Sequence, residues 1–170
     1  SGNSVFTSFN LSSSDRTDSS GFTSSNTGFT LGTEFEQYEN IYFSPSIDVS
    51  FEDIEVEGSA SDAVKKMQGS YSTLDFLYGI TFDKRNQRFQ PSAGYRTKFT
   101  QSIPLVQDSS SFLNGIDVST YHGFSDDVIG SVKFFARTIH GVGGDDVRLT
   151  SRLFIPTRKL RGFNTKRVGP

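Results

Sequence analysis

Apolar and polar residues alternate along several stretches of this chain, and this alternation limits what the chain can fold into. Successive side chains of a β-strand point to opposite faces, so a period of two gives a strand one apolar and one polar face. The clearest apolar series occupies alternate positions in one stretch: Leu74, Phe76, Tyr78, Ile80 and Phe82. Similar alternation predicts about seven strands, at residues 4–12, 21–37, 40–56, 70–84, 91–105, 112–122 and 128–140.

The composition also favours strands and turns over helices. The 170 residues include 17 Phe, 6 Tyr and 16 Gly. Aromatic side chains suit the pleated surface of a sheet, and Gly and Ser suit turns. One segment predicts a short helix, with Ser61 as the N-cap of residues 62–67 and Gly69 ending it. We expect that helix to decorate a loop.

Several classes of function are excluded. The net charge of −2 provides no broad basic surface, so we expect no nucleic-acid partner. With no Cys, thiolate metal sites and cysteine nucleophiles are absent. His122 and His140 fall at opposite rims of the predicted sheet, and residues 143–146 lack the spacing of a calcium loop. We interpret Asp75 and Asp117 as solvated residues on the polar face of the sheet. We therefore predict that the protein is not an enzyme and that it binds no metal and no cofactor.

Strand length bears on the choice between a soluble sheet and a membrane barrel. A soluble antiparallel sandwich with one solvated face would show the same alternation. The predicted strands, however, exceed the usual globular length of about 5–6 residues and match the 9–11 needed to cross a bilayer. Charged residues on the polar face suit a wet lumen: Asp48, Glu52, Asp75, Arg96, Lys98, Asp117, Lys133 and Arg137. Since bacterial barrels have at least about eight strands, we expect this chain to be part of a larger barrel.

The predicted connections alternate in length along the chain, which is typical of a membrane barrel with short turns on one rim and long loops on the other. The longer connections are predicted at residues 13–20, 57–69, 106–111 and 141–170. The shorter ones are predicted around residues 37–40, 83–88 and 123–127.

The last segment carries a short motif with a known counterpart. Its residues are Leu160, Arg161, Gly162, Phe163, Gly169 and Pro170. This motif resembles loop six of the BamA family, also called the bacterial surface antigen family, in which a hydrophobic residue precedes Arg-Gly-Phe or Arg-Gly-Tyr and Gly-Pro follows. Upstream, the Asp-Lys-Arg at 83–85 and the Phe-Gln-Pro-Ser-Ala-Gly at 89–94 resemble a turn between two strands of the same family.

The motif also admits a plainer interpretation, as an exposed basic loop. Five cations are clustered there: Arg158, Lys159, Arg161, Lys166 and Arg167. The flanking barrel signals favour a lumen loop. There Arg161 would lock the loop through its rigid fork of donors, Gly162 would allow close approach of the backbone, and Phe163 would supply an apolar anchor. In the family the acidic partners of this Arg lie on later strands.

The resemblance implies a fold, a function and partners. It implies an all-β, antiparallel transmembrane β-barrel of sixteen strands preceded by periplasmic repeat domains, with this chain covering about the fifth to eleventh strands and loop six at 141–170. The implied function is a non-enzymatic assembly factor that inserts β-barrel proteins into the outer membrane of a Gram-negative bacterium. Its partners would be unfolded β-barrel clients, accessory assembly lipoproteins and outer-membrane lipid.

Two other functions remain open at this point. The first is a protein translocation pore of the same superfamily, of the two-partner secretion or autotransporter assembly type. The second is a plain diffusion porin, although a porin has no reason to carry Arg161-Gly162-Phe163 in a lumen loop.

Overall fold

The computed structural model describes residues 3–17, 21–107, 111–142, 147 and 153. The described chain forms strands β1 (Ser4–Arg16), β2 (Phe22–Tyr38), β3 (Ile41–Val56), β4 (Gly69–Asp83), β5 (Gly94–Gln107), β6 (Ser111–Gly123) and β7 (Ile129–Gly141), with one short helix, α1 (Asp62–Lys65), between β3 and β4. No helix in the described ranges is long and apolar enough to cross a membrane.

The seven strands form one sheet in sequence order, and each pairs antiparallel with the next. Strands β1 and β7 lie at the two edges, so the sheet is not closed on itself. An open sheet cannot sit alone in hydrocarbon, because its edge would leave backbone groups unpaired. The predicted fold class, a partial antiparallel transmembrane barrel, is confirmed.

Some strands begin and end at other residues than the alternation suggests. Strand β1 continues to Arg16, beyond residue 12, because its Ser-rich end pairs with the start of β2. Strand β5 begins at Gly94, after position 91, because the residues before it fold into a turn. The predicted helix is a single turn, Asp62–Lys65, and Ser61 precedes it without a side-chain capping hydrogen bond.

The connections do not sort by length as the sequence predicts. Strands β4 and β5 are joined by residues 84–93, whereas β5 and β6 are joined by residues 108–110 alone. The long β4–β5 connection therefore lies on the same rim as the tight β2–β3 turn at residues 39–40. We call this rim, which also carries the β6–β7 connection at residues 124–128, the turn rim, and the opposite rim the loop rim.

The cross-strand register separates the side chains into two faces. Apolar residues meet in direct pairs on one face, as in Phe9 with Phe29 and Ile47 with Phe76. Few of them are covered: Phe9 is 71% exposed, and Phe22 and Ile54, both on the other face, are the buried hydrophobic residues of the described chain. Within the described ranges no protein layer covers the apolar face, which is the arrangement of a barrel wall that faces lipid. We call it the outer face and the polar one the lumen face.

Aromatic residues mark the outer face near the turn rim. The rings of Phe35 and Phe43 lie 5.8 Å apart, and those of Phe82 and Tyr95 lie 5.6 Å apart. Further along the rim, Phe124 packs edge-on against His122. Aromatic girdles of this kind lie at the membrane–water boundary of barrels.

The β3–β4 connection is attached to the loop rim by hydrogen bonds to backbone carbonyls. The Glu57 N–H donates to the Gly21 carbonyl at 2.9 Å, and the Tyr71 hydroxyl donates to the Met67 carbonyl at 3.0 Å. Gly21 has a φ of 72°, and a Cβ there would lie 2.8 Å from the Ala60 Cβ. A glycine is therefore needed where this connection meets the start of β2.

Two neighbouring substitutions on β3 test the assignment of the faces. Ile47→Lys places a charge on the outer face, and we expect it to lower the free energy of unfolding in lipid vesicles by about 2–4 kcal/mol. Ser46→Lys places the same charge on the lumen face, where water and Asp48 are within reach, and we expect little change. Equal effects from the two variants in urea titrations would contradict the assignment.

Candidate functional site

The lumen face carries the charged residues that the sequence placed on the polar side of the strands. Asp48 and Asp75 lie directly opposite each other on β3 and β4, and Asp48 accepts a hydrogen bond of 2.5 Å from the Thr30 hydroxyl. Across β5 and β6, Lys98 lies opposite Asp117. Charges of both signs thus line the same face, as in a water-filled barrel interior.

Arg137 on β7 forms the most connected contact of this wall. Its guanidinium pairs with the Asp117 carboxylate and donates to the backbone carbonyls of Ile116 at 3.0 Å and Ala136 at 2.9 Å. Its side chain crosses Gly115, where a Cβ would lie 2.8 Å from the Arg137 Cδ and 2.7 Å from the Thr100 Oγ1. The missing side chain at Gly115 makes room for the arginine against the wall.

The connection between β4 and β5 is an ordered turn built on Asp83 and Arg85. The Arg85 Nε and NH2 groups donate to the two Asp83 carboxylate oxygens at 2.8 and 2.6 Å, and the Arg85 N–H also donates to Asp83. Two parallel N–H···O bonds of this kind are directional and charge-assisted. Arg96 adds a longer contact of 3.9 Å to the same carboxylate.

A second set of contacts closes the turn. The Asn86 Oδ1 accepts hydrogen bonds from the backbone N–H groups of Ser92 and Ala93 at 3.1 and 3.2 Å. Gly94 has a φ of 94°, and a Cβ there would lie 2.1 Å from the Lys84 carbonyl oxygen. Arg88 reaches back to β3, where its guanidinium lies over the Tyr42 ring and donates to the Tyr42 hydroxyl at 3.0 Å.

Titration of the turn follows from these contacts. Asp83 ends β4 at the turn rim, beyond the membrane-spanning part of the strand. The hydrogen bonds from the Arg85 side chain hold the pKa of Asp83 below its ordinary value, although partial burial opposes them. The same carboxylate raises the pKa of Arg85. Both groups are therefore charged across the physiological range.

The predicted loop-six residues lie outside the described part of the chain: Leu160, Arg161, Gly162, Phe163, Gly169 and Pro170. Their role stays a prediction. His122 lies opposite Gly130 and His140 opposite Phe112, which places the two histidines at opposite ends of the β6–β7 pair. Among the described residues no three or more His, Asp or Glu side chains come together as a metal site.

Two polar contacts of the structure are not visible in the sequence. One joins the Asp83 and Arg85 side chains within a segment that the resemblance identifies only as a turn. The other joins Gln101 of β5 to Asn114 of β6 on the outer face. A polar residue in an apolar series is visible in the sequence. Which polar residues meet across strands depends on the register.

The fold and the two faces define this chain as part of the wall of a membrane-spanning β-barrel. The Omp85 superfamily domain matches residues 1–170, so the chain belongs to the Omp85 superfamily. It is 28% identical over 128 residues to the outer membrane protein assembly factor BamA of Neorickettsia risticii (strain Illinois), covering 72% of this chain and 17% of that protein.

A solved structure shows the same fold. The crystal structure of BamA from Haemophilus ducreyi lacking POTRA domains 1-3 matches 99% of this chain with a TM-score of 0.78 at 15% identity. The chain spans 38% of the length of that solved chain. The predicted relationship to the BamA family, as part of its barrel, is confirmed.

The Asp83–Arg85 pair predicts a pH-dependent turn. Because the pKa of Asp83 is lowered in the folded state, its stabilisation is present above the ordinary aspartate value of about 4 and is lost as the pH falls through the lowered pKa. In Asp83→Asn we expect amide hydrogen exchange across 84–93 to be faster at neutral pH by about threefold, since the pair is partly solvated.

Hydrogen-exchange mass spectrometry in lipid vesicles measures this effect, with rates corrected for the intrinsic pH dependence. The wild-type protein should approach the Asp83→Asn rate in acid. Asp53→Asn is the matched control, because that carboxylate accepts from the Ser70 hydroxyl at the loop rim and should leave residues 84–93 unchanged. Equal rates in Asp83→Asn and wild type would show that the pair does not hold the turn.

Gly115→Leu tests the packing of Arg137 against the wall. We expect a loss of about 1–3 kcal/mol in the free energy of unfolding from overpacking, which outweighs the gain of up to about 1 kcal/mol in strand propensity. Gly58→Leu is the control, since a Cβ at Gly58 meets nothing within 4 Å. A Gly115→Leu barrel as stable as the control would rule out a close fit at this position.

Proposed function

We propose that this chain is part of an outer-membrane protein assembly factor, which folds β-barrel proteins and inserts them into the outer membrane of a Gram-negative bacterium. The observation that carries this proposal is the match of the Omp85 superfamily domain over the whole chain together with the likeness to a BamA protein. The apolar outer face, rimmed by aromatic residues, supports a location in a bilayer.

The proposed activity requires no covalent chemistry. On the lumen face Arg137 is engaged with Asp117 and with the backbone, and at the turn rim Asp83 is engaged with Arg85. The bonds that a client strand has to make are backbone hydrogen bonds, and a free strand edge offers them without any reactive group. We therefore propose a non-enzymatic mechanism in which a seam of the barrel templates client strands by edge pairing.

The proposed partners follow from the same surfaces. Unfolded β-barrel clients would pair with strand edges, lipid would cover the outer face, and accessory lipoproteins would bind outside the membrane. The ordered turn at residues 84–93 presents a rigid surface at the turn rim, with Phe89 80% exposed. A protruding aromatic side chain on a rigid turn suits contact with a partner.

Loop six is proposed to lie in the lumen. Arg161 would hold it there by pairing with carboxylates of the wall, Gly162 would allow close approach, and Phe163 would anchor it. The acidic partners of Arg161 would lie on later strands of the same wall, as in the family. The charged lumen face of the described strands supports a wet interior that could hold such a loop.

A protein translocation pore is the second candidate, because the match over the whole chain is to the superfamily. The lumen face would then line the path of a secreted protein. The two functions differ in what disappears when the parent protein is lost: many unrelated outer-membrane barrels for an assembly factor, and one secreted partner for a pore.

Depletion of the parent protein with plasmid-borne rescue tests the proposal. We expect several unrelated barrels to fall in abundance in outer-membrane fractions, and wild-type protein to restore them. Arg161→Ala should restore them poorly, because the loop loses its charged anchor, whereas Arg158→Ala should restore them fully. Barrel levels that survive depletion while a single secreted protein is lost would favour translocation.

A further inference from the structure

A row of polar side chains crosses the apolar outer face on four neighbouring strands. The register places Tyr78 of β4 opposite Gln101 of β5, then Asn114 of β6, then Thr138 of β7. The Tyr78 hydroxyl donates to the Gln101 Oε1 at 2.7 Å, and the Gln101 Nε2 donates to the Asn114 Oδ1 at 2.5 Å. The Asn114 Nδ2 donates to the Thr138 Oγ1 at 3.4 Å. We call these four residues the polar row.

The polar row lies within the apolar surface and does not form its boundary. Along the two central strands, apolar outer-face residues flank it on both sides: Phe99, Ile103, Phe112 and Ile116. On β5, Ile103 lies between Gln101 and the loop rim, on the same outer face. The row therefore lies at a depth where the surroundings offer hydrocarbon and few hydrogen-bond partners.

Donors remain after the bonds within the row are made. A carboxamide carries two N–H groups, and the row uses one from Gln101 and one from Asn114. Within the described ranges, neither second N–H has a partner. Lipid tails cannot accept these hydrogen bonds, so a polar partner at the same depth would stabilise the row.

Charge on this part of the wall narrows the choice of partner. The outer-face positions of β4 to β7 carry no Asp, Glu, Lys or Arg among the described residues. A partner with charges at this depth would find no counter-ion. A carboxamide is self-complementary, because it offers a donor and an acceptor together, and two uncharged surfaces approach without repulsion.

We propose that the polar row is the centre of an interface with a second copy of this barrel. The two copies would meet across a two-fold axis along the membrane normal, an isologous contact in which each row satisfies the spare carboxamide groups of the other. Exposed apolar residues on the turn-rim side of the row would pack against their counterparts: Ile116 next to Asn114 on β6, and Phe134 and Val132 farther along β7. This interface is independent of the assembly function, which a single barrel could perform.

Disulfide crosslinking of the full-length parent protein in phospholipid vesicles tests the interface. This chain has no Cys, so Ile116→Cys introduces a reporter beside the row once any other Cys of the parent is replaced by Ser. Ile47→Cys on β3 is the matched control, because Ile47 is on the outer face and is 47% exposed against 36% for Ile116. At high lipid-to-protein ratio we expect more covalent dimer from Ile116→Cys by about tenfold, the effect of two membrane-embedded side-chain hydrogen bonds.

Removal of the carboxamides should abolish the difference. Gln101→Met and Asn114→Leu keep the approximate size of each side chain without its N–H groups, and together they should reduce the dimer to the Ile47→Cys level. Heat-modifiable migration in gels shows whether each variant barrel is folded. If the double variant does not fold, the single variant Gln101→Met takes its place in the experiment. Thr27→Val on the outer face of β2 should leave the dimer unchanged.

Two results would overturn the proposal. One is equal crosslinking at positions 116 and 47, which is expected if lipid alone covers the row. The other is a dimer that survives the carboxamide substitutions in folded barrels, which would leave the row as a contact between strands of one barrel. Either result leaves the proposed assembly function untouched.

Discussion

The backbone hydrogen bonds between neighbouring strands are the interaction on which the rest of this structure depends. In hydrocarbon no solvent replaces a missing bond, so the ladders from β1 to β7 must be continuous. Continuous antiparallel pairing determines where every side chain points, and a slip by one residue would exchange the two faces. The β2–β3 turn helps to hold the register, because Asn40 adopts a φ of 66° and its N–H donates to the Glu36 carboxylate.

The division into two faces leaves the described part of the chain without an ordinary hydrophobic core. Apolar side chains cover the outside, and polar side-chain contacts support the lumen face as well, where Ser50 and Thr73 share a hydrogen bond of 2.6 Å across β3 and β4. Small residues complete this wall: Gly115 gives Arg137 a place against the strands. On the lumen face, hydrogen bonds, ion pairs and the close approach of side chains to the strand backbone thus take the place of apolar packing.

Much of the fold follows from local patterns, because a period of two is a property of each strand by itself. The stretch from Leu74 to Phe82 is recognisable without knowledge of its neighbours. Connection lengths were predicted less well: residues 84–93 form a long turn because Asn86, Asp83 and Arg85 fold it, and no periodicity records such side-chain contacts. The Gln101–Asn114 contact depends in turn on the register of β5 and β6, which places the two residues opposite each other. The loop-six motif around Arg161 was read by resemblance alone, and it stays a prediction.

The chemistry of the wall is compatible with both of the proposed functions, assembly and translocation. Arg137 pairs with Asp117 on the wall, and Arg85 pairs with Asp83 in the turn next to it, so these charges are neutralised within the barrel itself. Such a wall supplies rigidity, a wet interior and an apolar exterior, and none of these properties selects a client. Under the proposed function, client selection would then come from parts whose sequence and conformation are less constrained than a paired strand: the loops, the ordered turn at residues 84–93, and the strand edges where another chain can pair.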